Sequence, residues 1–255
     1  MNKQKQSSPK KNLRWLWISL LIITLTALGW GIQWVTYARP PLDDALAALE
    51  SDSAVQVDSE PWLIFTPLET EPTAGLIFYP GGRVDPRGYA TLLRPIAEEG
   101  YLVVVPSMPI NMAIFNTGAA EGIIEHFSGI DHWAIAGHSV GGTSAAIYVA
   151  KNPDKINGLA IWASFPADST DLSNTDLSVY SIYGELDEGV DREGVGARKH
   201  LLPPDTVYVE IAGGDHHQFG TYLVKEGEDR STTPRDLQQA QIIQATLNLL
   251  AEISN

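Results

Sequence analysis

The chain has 255 residues, no cysteine and a net charge of −14. The lack of cysteine excludes disulfides, thiolate metal sites and a cysteine nucleophile, and an acidic surface repels phosphate backbones, so no nucleic acid is expected as a partner. With 44% hydrophobic and 19% charged residues, the composition is that of a globular protein, and the length suits one domain plus a short extension.

The charge is unevenly placed. Lys3, Lys5, Lys10, Lys11 and Arg14 all precede the first acidic residue, Asp43. Behind this basic tail (1–14), residues 15–38 carry no charge. About 20 apolar residues in a helix cross a bilayer core. Trp15 and Trp17 at one end and Trp34 and Tyr37 at the other stand where aromatic rings favour the interfaces. No polar face interrupts the run, as it would in a core helix of a domain this size, which keeps one face to solvent. The expectation is a single-pass anchor in the lipid bilayer, its N-terminus cytoplasmic and the body outside. A cleaved signal peptide ending near Ala27-Leu28-Gly29 is the competing reading, and it also exports the body.

Residues 39–52 read as a linker with a short helix at 42–50, and 53–255 as the body. Two strand-like runs, 54–57 and 62–65, suggest an initial antiparallel pair. The apolar run 75–79 (GLIFY) predicts a strand buried on both faces. A helix is expected at 86–99, ending at Gly100, and a second buried strand at 101–105. Then come a helix at 116–127, a strand at 132–136, a helix at 140–151 and strands at 159–163 and 179–183. A helix at 192–200, a strand at 207–211 and a closing helix at 234–253 complete the chain. This alternation predicts an α/β protein with a mostly parallel sheet and helices on both faces. Ligands of such sheets bind beyond the carboxyl ends of the strands.

The strand at 132–136 runs into Gly137-His138-Ser139-Val140-Gly141, a G-x-S-x-G pattern between strand and helix. Chance gives the bare pattern in on the order of one chain in a dozen of this length, so the strand–turn–helix context matters. In that context the chain turns sharply and projects the serine hydroxyl. The following helix presents its N–H groups and positive dipole end to a reacting oxygen. Ser139 is the candidate nucleophile.

These residues resemble the α/β-hydrolase superfamily from about Ser53 onward, most nearly short bacterial members without a lid domain. Tyr183-Gly184-Glu185-Leu186-Asp187 and Gly213-Gly214-Asp215-His216-His217-Gln218-Phe219-Gly220 are similar to that superfamily's acid motif and histidine loop. Its chain order is Ser, then acid, then His. Only His200, His216 and His217 lie downstream of Ser139; His200 ends a predicted helix, and the other two share a glycine-rich loop after a strand. The resemblance selects His216 as the base. The chain departs from the family in having Asp215 before that histidine, where Asn is usual, and His217 after it, where a small residue is usual.

Asp187 stands where the family carries its acid, with Glu185, Glu188 and Asp215 as alternatives. The oxyanion hole needs two backbone N–H groups. One is expected from Val140. The other is expected from the loop Tyr79-Pro80-Gly81-Gly82-Arg83-Val84, with Gly82 favoured and Arg83 the alternative. Arg83, His138, Asp215 and His217 are candidates for supporting or substrate-contacting positions.

The resemblance implies a serine hydrolase acting on a small acyl ester through an acyl-enzyme, without metal or organic cofactor. About 15 residues separate Ala163 from Val179, too few for a helical lid. Residues 108–115 (MPINMAIF) are a candidate acyl-pocket lining or a buried connector. Acyl transfer to an alcohol by the same residues, a peptidase of this fold, or a non-catalytic tethered binding module are the alternative readings.

Overall fold

A computed structural model describes residues 10–254; most of the basic tail therefore lies outside the described residues. The chain forms two units, one ending at Tyr37 and one beginning at Ala38. The first is helix α1 (Lys10–Thr36). Its stretch Arg14–Trp34 is long and apolar enough to cross a membrane, as a signal sequence also would be. At 1.5 Å per residue that stretch is about 31 Å long, matching a hydrocarbon core. Thr26 and Thr36 donate their hydroxyls to the carbonyls of Ile22 and Ile32, so these polar groups need no water.

The second unit begins with a short helix, α2 (Asp43–Ala47), and two strands, β1 (Val55–Asp58) and β2 (Leu63–Pro67). Then follow β3 (Ala74–Tyr79), α3 (Ala90–Glu98), β4 (Leu102–Val105), α4 (Ala120–His126), β5 (His132–His138) and α5 (Val140–Lys151). Strands β6 (Gly158–Trp162) and β7 (Ser178–Gly184), α6 (Arg192–Arg198), β8 (Val207–Ile211) and α7 (Arg235–Ile253) complete it. The eight strands form one sheet in the order β1-β2-β4-β3-β5-β6-β7-β8. β1 and β2 pair antiparallel, as do β2 and β4, and every later pairing is parallel.

Period-two alternation divides the core. Leu76, Phe78, Val103, Ala134 and Trp162 face one side, against Leu92 and Ile96 of α3 and Ile242 and Leu249 of α7. Ile77, Val104, Ile135 and Ile161 face the other, against Ile123 of α4 and Ala145 and Val149 of α5. All of these side chains are essentially fully buried, which is why the central strands read as continuous apolar runs. After β3 the chain steps outward to β4, then returns past β3 to β5. Such a reversal opens a crevice at the carboxyl ends of the strands. Tyr79 pairs with Gly137 there, so the loop after β3 and the turn after β5 leave the sheet side by side.

Three local features differ from the sequence reading. The helix expected at 86–99 opens as a 3-10 turn, Pro86–Tyr89, because the Asp85 carboxylate accepts the Arg87 N–H and tightens the chain there. The helix expected at 116–127 starts at Ala120. The Tyr79 hydroxyl accepts the Ala120 N–H and donates to the Thr117 carbonyl, which breaks the run. The stretch read as a linker is bonded into the body. Arg39 N–H donates to Arg83 O at 2.7 Å, Leu42 N–H to Thr221 O at 3.0 Å, and Pro40 O accepts Leu223 N–H at 2.9 Å.

Candidate active site

At the end of β5 the backbone of Ser139 adopts φ 54° and ψ −126°, a left-handed conformation rare for a residue with a side chain. Helix α5 starts at the next residue and is pressed against two strand ends. A Cβ on Gly137 would lie 2.4 Å from the Gly141 backbone, and one on Gly141 would lie 2.1 Å from the Tyr79 carbonyl oxygen. The pattern's two glycines are thus a requirement for space. Backbone strain of this kind costs about 1–3 kcal/mol. Ser139 N–H donates to Trp162 O at 3.0 Å, while its carbonyl accepts Gly142 N–H at 2.9 Å and the Ser164 hydroxyl at 2.6 Å. At about 1 kcal/mol each, these three bonds offset the strain.

The loop after β3 supplies N–H groups to the same place. Gly81 N–H donates to the Tyr89 hydroxyl at 2.9 Å, and Arg83 N–H to the Asn111 carbonyl at 2.8 Å. Between them, the Gly82 N–H has no hydrogen-bond partner among the described residues, and neither does the Val140 N–H. The two residues adjoin: a Cβ on Gly82 would lie 3.1 Å from Val140 Cγ1 and 2.9 Å from Met112 Sδ. Two unspent donors therefore stand beside Ser139, and Arg83 is not one of them.

The histidine loop follows β8. His216 Nδ1 lies 2.7 Å from Asp187 Oδ2. The carboxylate can only accept, so Nδ1 carries the proton and Nε2 keeps its lone pair. Asp187 is buried, and its other oxygen accepts the N–H groups of Gly189 and Val190 at 2.9 and 3.0 Å. The other acid candidates are engaged elsewhere: Glu185 accepts Gly213 N–H, Glu188 pairs with Arg230, and Asp215 accepts His217 N–H. The imidazole rings of His216 and His138, the latter adjoining Ser139 in sequence, have centroids 4.7 Å apart. Ser139 Oγ and His216 Nε2 have no hydrogen-bond partner among the described residues, which leaves both able to meet a substrate.

The sequence pattern of the "Alpha/beta hydrolase family" matches residues 75–240, well over half of the chain and the whole of this site. The chain belongs to the alpha/beta hydrolase family. Three solved structures agree in fold. One is an alpha/beta hydrolase enzyme from the metagenome of sediments from the lagoon of Mar Chica, Morocco. It has 17% identity and a TM-score of 0.51, over 64% of this chain and 89% of that one. The esterase domain of a Rhodothermus marinus protein has 12% identity and a TM-score of 0.54, over 75% and 90% of the two chains. Est1E from Butyrivibrio proteoclasticus, solved with ferulic acid bound, has 14% identity and a TM-score of 0.55, over 76% and 98%. Among curated proteins, none matches the sequence significantly.

The remaining candidates of this alpha/beta hydrolase fall around the site in different ways. His138 is fully buried, stacks on Phe219 at 5.7 Å and has Nδ1 2.9 Å from the Tyr89 hydroxyl. Burial drives its pKa well below the ordinary histidine value, and His216 and His217 add to the effect, so it stays neutral beside any imidazolium. Burial also lowers the pKa of His217, helped by His216 and Arg39; its ring meets that of His216 edge-on at 5.7 Å. His200 is exposed near the Ala197 carbonyl, away from the loop.

Tyr89 and Gln238 went unread in the sequence. Tyr89 looks like an ordinary core aromatic, and Gln238 lies in the polar first turn of a helix. Gln238 grips Asp215 from both sides, accepting its N–H at 3.0 Å and donating to its carbonyl at 2.8 Å. Only a buried glutamine opposite a loop would have signalled this, and burial is not visible in one sequence.

Proposed function

We propose that this protein is a serine hydrolase that cleaves acyl esters, with Ser139 as nucleophile, His216 as base and Asp187 as the acid that orients it. The observation that carries the reading is the His216–Asp187 hydrogen bond at 2.7 Å. It fixes an imidazole with a free Nε2 at the sheet edge from which Ser139 projects. Ser139 Oγ attacks the acyl carbonyl while Nε2 takes its proton, and Asp187 stabilises the imidazolium that forms. The N–H groups of Gly82 and Val140 donate to the developing oxyanion. The imidazolium then protonates the departing alcohol, leaving an acyl-enzyme. Water that gives its proton to His216 attacks that intermediate, releases the acid and restores Ser139.

The acyl group has a natural place along residues 108–115. Met112 adjoins Gly82, and Ile110, Ile114 and Phe115 are exposed apolar side chains of the same segment. The esterase domain among the solved structures of the same fold supports the ester reading. The uncharged apolar run 15–38, preceded by five basic residues, supports a bilayer anchor with the catalytic unit on the extracytoplasmic side.

A fluorophosphonate probe tests the reading. Wild-type protein is expected to be labelled, and Ser139→Ala to fold but not to label. A folded wild type that never labels removes the hydrolase reading. With p-nitrophenyl esters of rising chain length, the profile of kcat/KM then measures the depth of the acyl site. Added alcohol shows whether water or an alcohol takes the acyl group.

A further inference from the structure

The N–H groups of the loop after β3 are sorted by a partner outside the loop. Tyr89 is fully buried, packed against Phe78 with ring centroids 4.7 Å apart. Its hydroxyl accepts the Gly81 N–H at 2.9 Å and lies 2.9 Å from His138 Nδ1. A phenol has one proton to give. If the oxygen accepted from both neighbours, that proton and the lone pair of the buried His138 Nε2 would both lack partners. With the proton given to Nδ1, only the Nε2–H lacks a hydrogen-bond partner among the described residues, the less costly arrangement. The hydroxyl therefore donates to Nδ1 and accepts from Gly81, and the chain of bonds runs Gly81 N–H to Tyr89 O–H to His138. His138 ends β5 immediately before Ser139, and Gly81 immediately precedes Gly82. The space is tight as well: a Cβ on Gly81 would lie 2.6 Å from His138 Nδ1 and 2.7 Å from the Tyr89 oxygen.

We infer that Tyr89 is a positioning residue for the oxyanion hole. It ties up the Gly81 N–H, fixes the peptide that follows and thereby holds the Gly82 N–H at a set place relative to Ser139, using His138 as its anchor. The inference rests on the hydrolase reading above and adds to it. His138 gains a defined part: a neutral acceptor on the strand that leads into the nucleophile. Arg83 N–H, held by Asn111 O at 2.8 Å, fixes the other side of the Gly82 residue, so among the described residues the backbone donor this loop keeps for an oxyanion is the Gly82 N–H.

The test compares wild type with Tyr89→Phe, His138→Asn and His138→Leu. The readouts are kcat and KM on a p-nitrophenyl ester, inhibition by a trifluoromethyl ketone and melting temperature. The ketone forms an adduct with Ser139 that carries the oxyanion. Displacing a catalytic group by a fraction of an ångström to 1 Å costs up to about 100-fold, so Tyr89→Phe is expected to lower kcat about 10- to 100-fold. KM should stay within about twofold, because the donor acts on charge that develops only in the transition state. The ketone's Ki should rise by the same factor as kcat falls. His138→Asn offers an acceptor oxygen near the former Nδ1 and should retain most activity, whereas His138→Leu should match Tyr89→Phe.

A folded Tyr89→Phe enzyme with wild-type kcat and Ki overturns the inference. So does a loss of kcat in which the ketone binds as before, since that marks general loosening. If Tyr89→Phe does not fold, the His138→Asn and His138→Leu pair decides, and equal kcat in the two overturns it. A wild type with no Ser139-dependent labelling overturns the hydrolase reading itself, an outcome distinct from a labelled wild type whose variants are unchanged.

Discussion

The turn at Ser139 and the loop at His216 lie at the same edge of the sheet, yet different physics holds each in place. The serine turn is fixed by exclusion: backbone lies against backbone at Gly137, Gly141 and Tyr79, with no room for one more carbon. The histidine loop is fixed by polar bonds from neighbouring elements. Gln238 of α7 brackets Asp215, Gly214 O accepts Leu186 N–H at 2.8 Å, and Glu185 accepts Gly213 N–H at 2.9 Å. The acid loop and the histidine loop are thus cross-linked before Asp187 and His216 bond. A turn built by exclusion tolerates no added volume; a loop built by hydrogen bonds gives way gradually as bonds are removed.

That contrast can be broken at four places. The largest effect belongs to Gly141→Ala, whose Cβ would overlap the Tyr79 carbonyl. Backbone cannot yield as a side chain can, so a loss of about 3 kcal/mol or more is expected, with no Ser139 labelling. Urea unfolding and probe labelling together check this, and a stable, labelled variant would show that α5 can shift.

Asp187→Asn comes next. The amide keeps an oxygen for the Gly189 and Val190 N–H groups but presents N–H to His216, favouring the wrong imidazole tautomer. By analogy with the equivalent change in serine proteases, kcat should fall roughly 10³- to 10⁴-fold. Melting temperature should change little, since the fold's contacts remain, and steady-state kinetics beside a thermal melt separate the two effects.

Gln238→Leu should act on the loop in the graded way described. It leaves the buried Asp215 N–H unpaired and removes one of two bonds to its carbonyl, which still accepts Gln218 N–H at 3.3 Å. One unpaired buried donor costs about 1–3 kcal/mol, and His216 is loosened by one bonded neighbour. Activity is expected to drop about tenfold, in the range for a slightly misplaced group. Denaturant midpoints and kcat would both move. A variant as stable and as active as wild type would show that the acid loop alone suffices.

The smallest effect concerns the ion pair of Arg39 and Glu228 at 2.6 Å, which ties the segment after α1 to the chain beyond the histidine loop. The Arg39 hydrogen bond holds the Glu228 pKa down from 4.5 to about 2. A depressed carboxylate pKa stabilises the fold above the unfolded value and loses that contribution as pH falls through the folded one. The stability difference between wild type and Glu228→Gln should be constant above about pH 5 and vanish toward pH 2. It should not exceed about 1 kcal/mol, because the pair is solvent-screened, and added salt should shrink it. Melting curves at several pH values check the window.

What was legible followed from chemistry local in sequence. Apolar runs such as 75–79 and 101–105 marked strands covered on both faces, because such strands can contain nothing else. Gly137 and Gly141 marked the serine turn because any larger residue collides there. The sequence was less clear where a residue's role depended on a distant partner. The acid candidates Glu185, Asp187, Glu188 and Asp215 are chemically alike and adjoin the same loops, and their chain positions do not say which carboxylate meets an imidazole. The segment 39–42 looked like a spacer because its bonds run to residues 83, 85, 221 and 223.

The sequence by itself determined an apolar N-terminal helix, an alternating body, a serine on a strand-to-helix turn and a downstream histidine loop, since each of these is encoded within a dozen neighbouring residues. Only the tertiary structure decided which N–H groups are already spent, which carboxylate holds His216, and that a buried tyrosine joins the loop after β3 to the strand that leads into Ser139. Those outcomes depend on where two remote stretches meet to within a few tenths of an ångström. Hydrogen bonding is sensitive to that scale, and residue type alone is not.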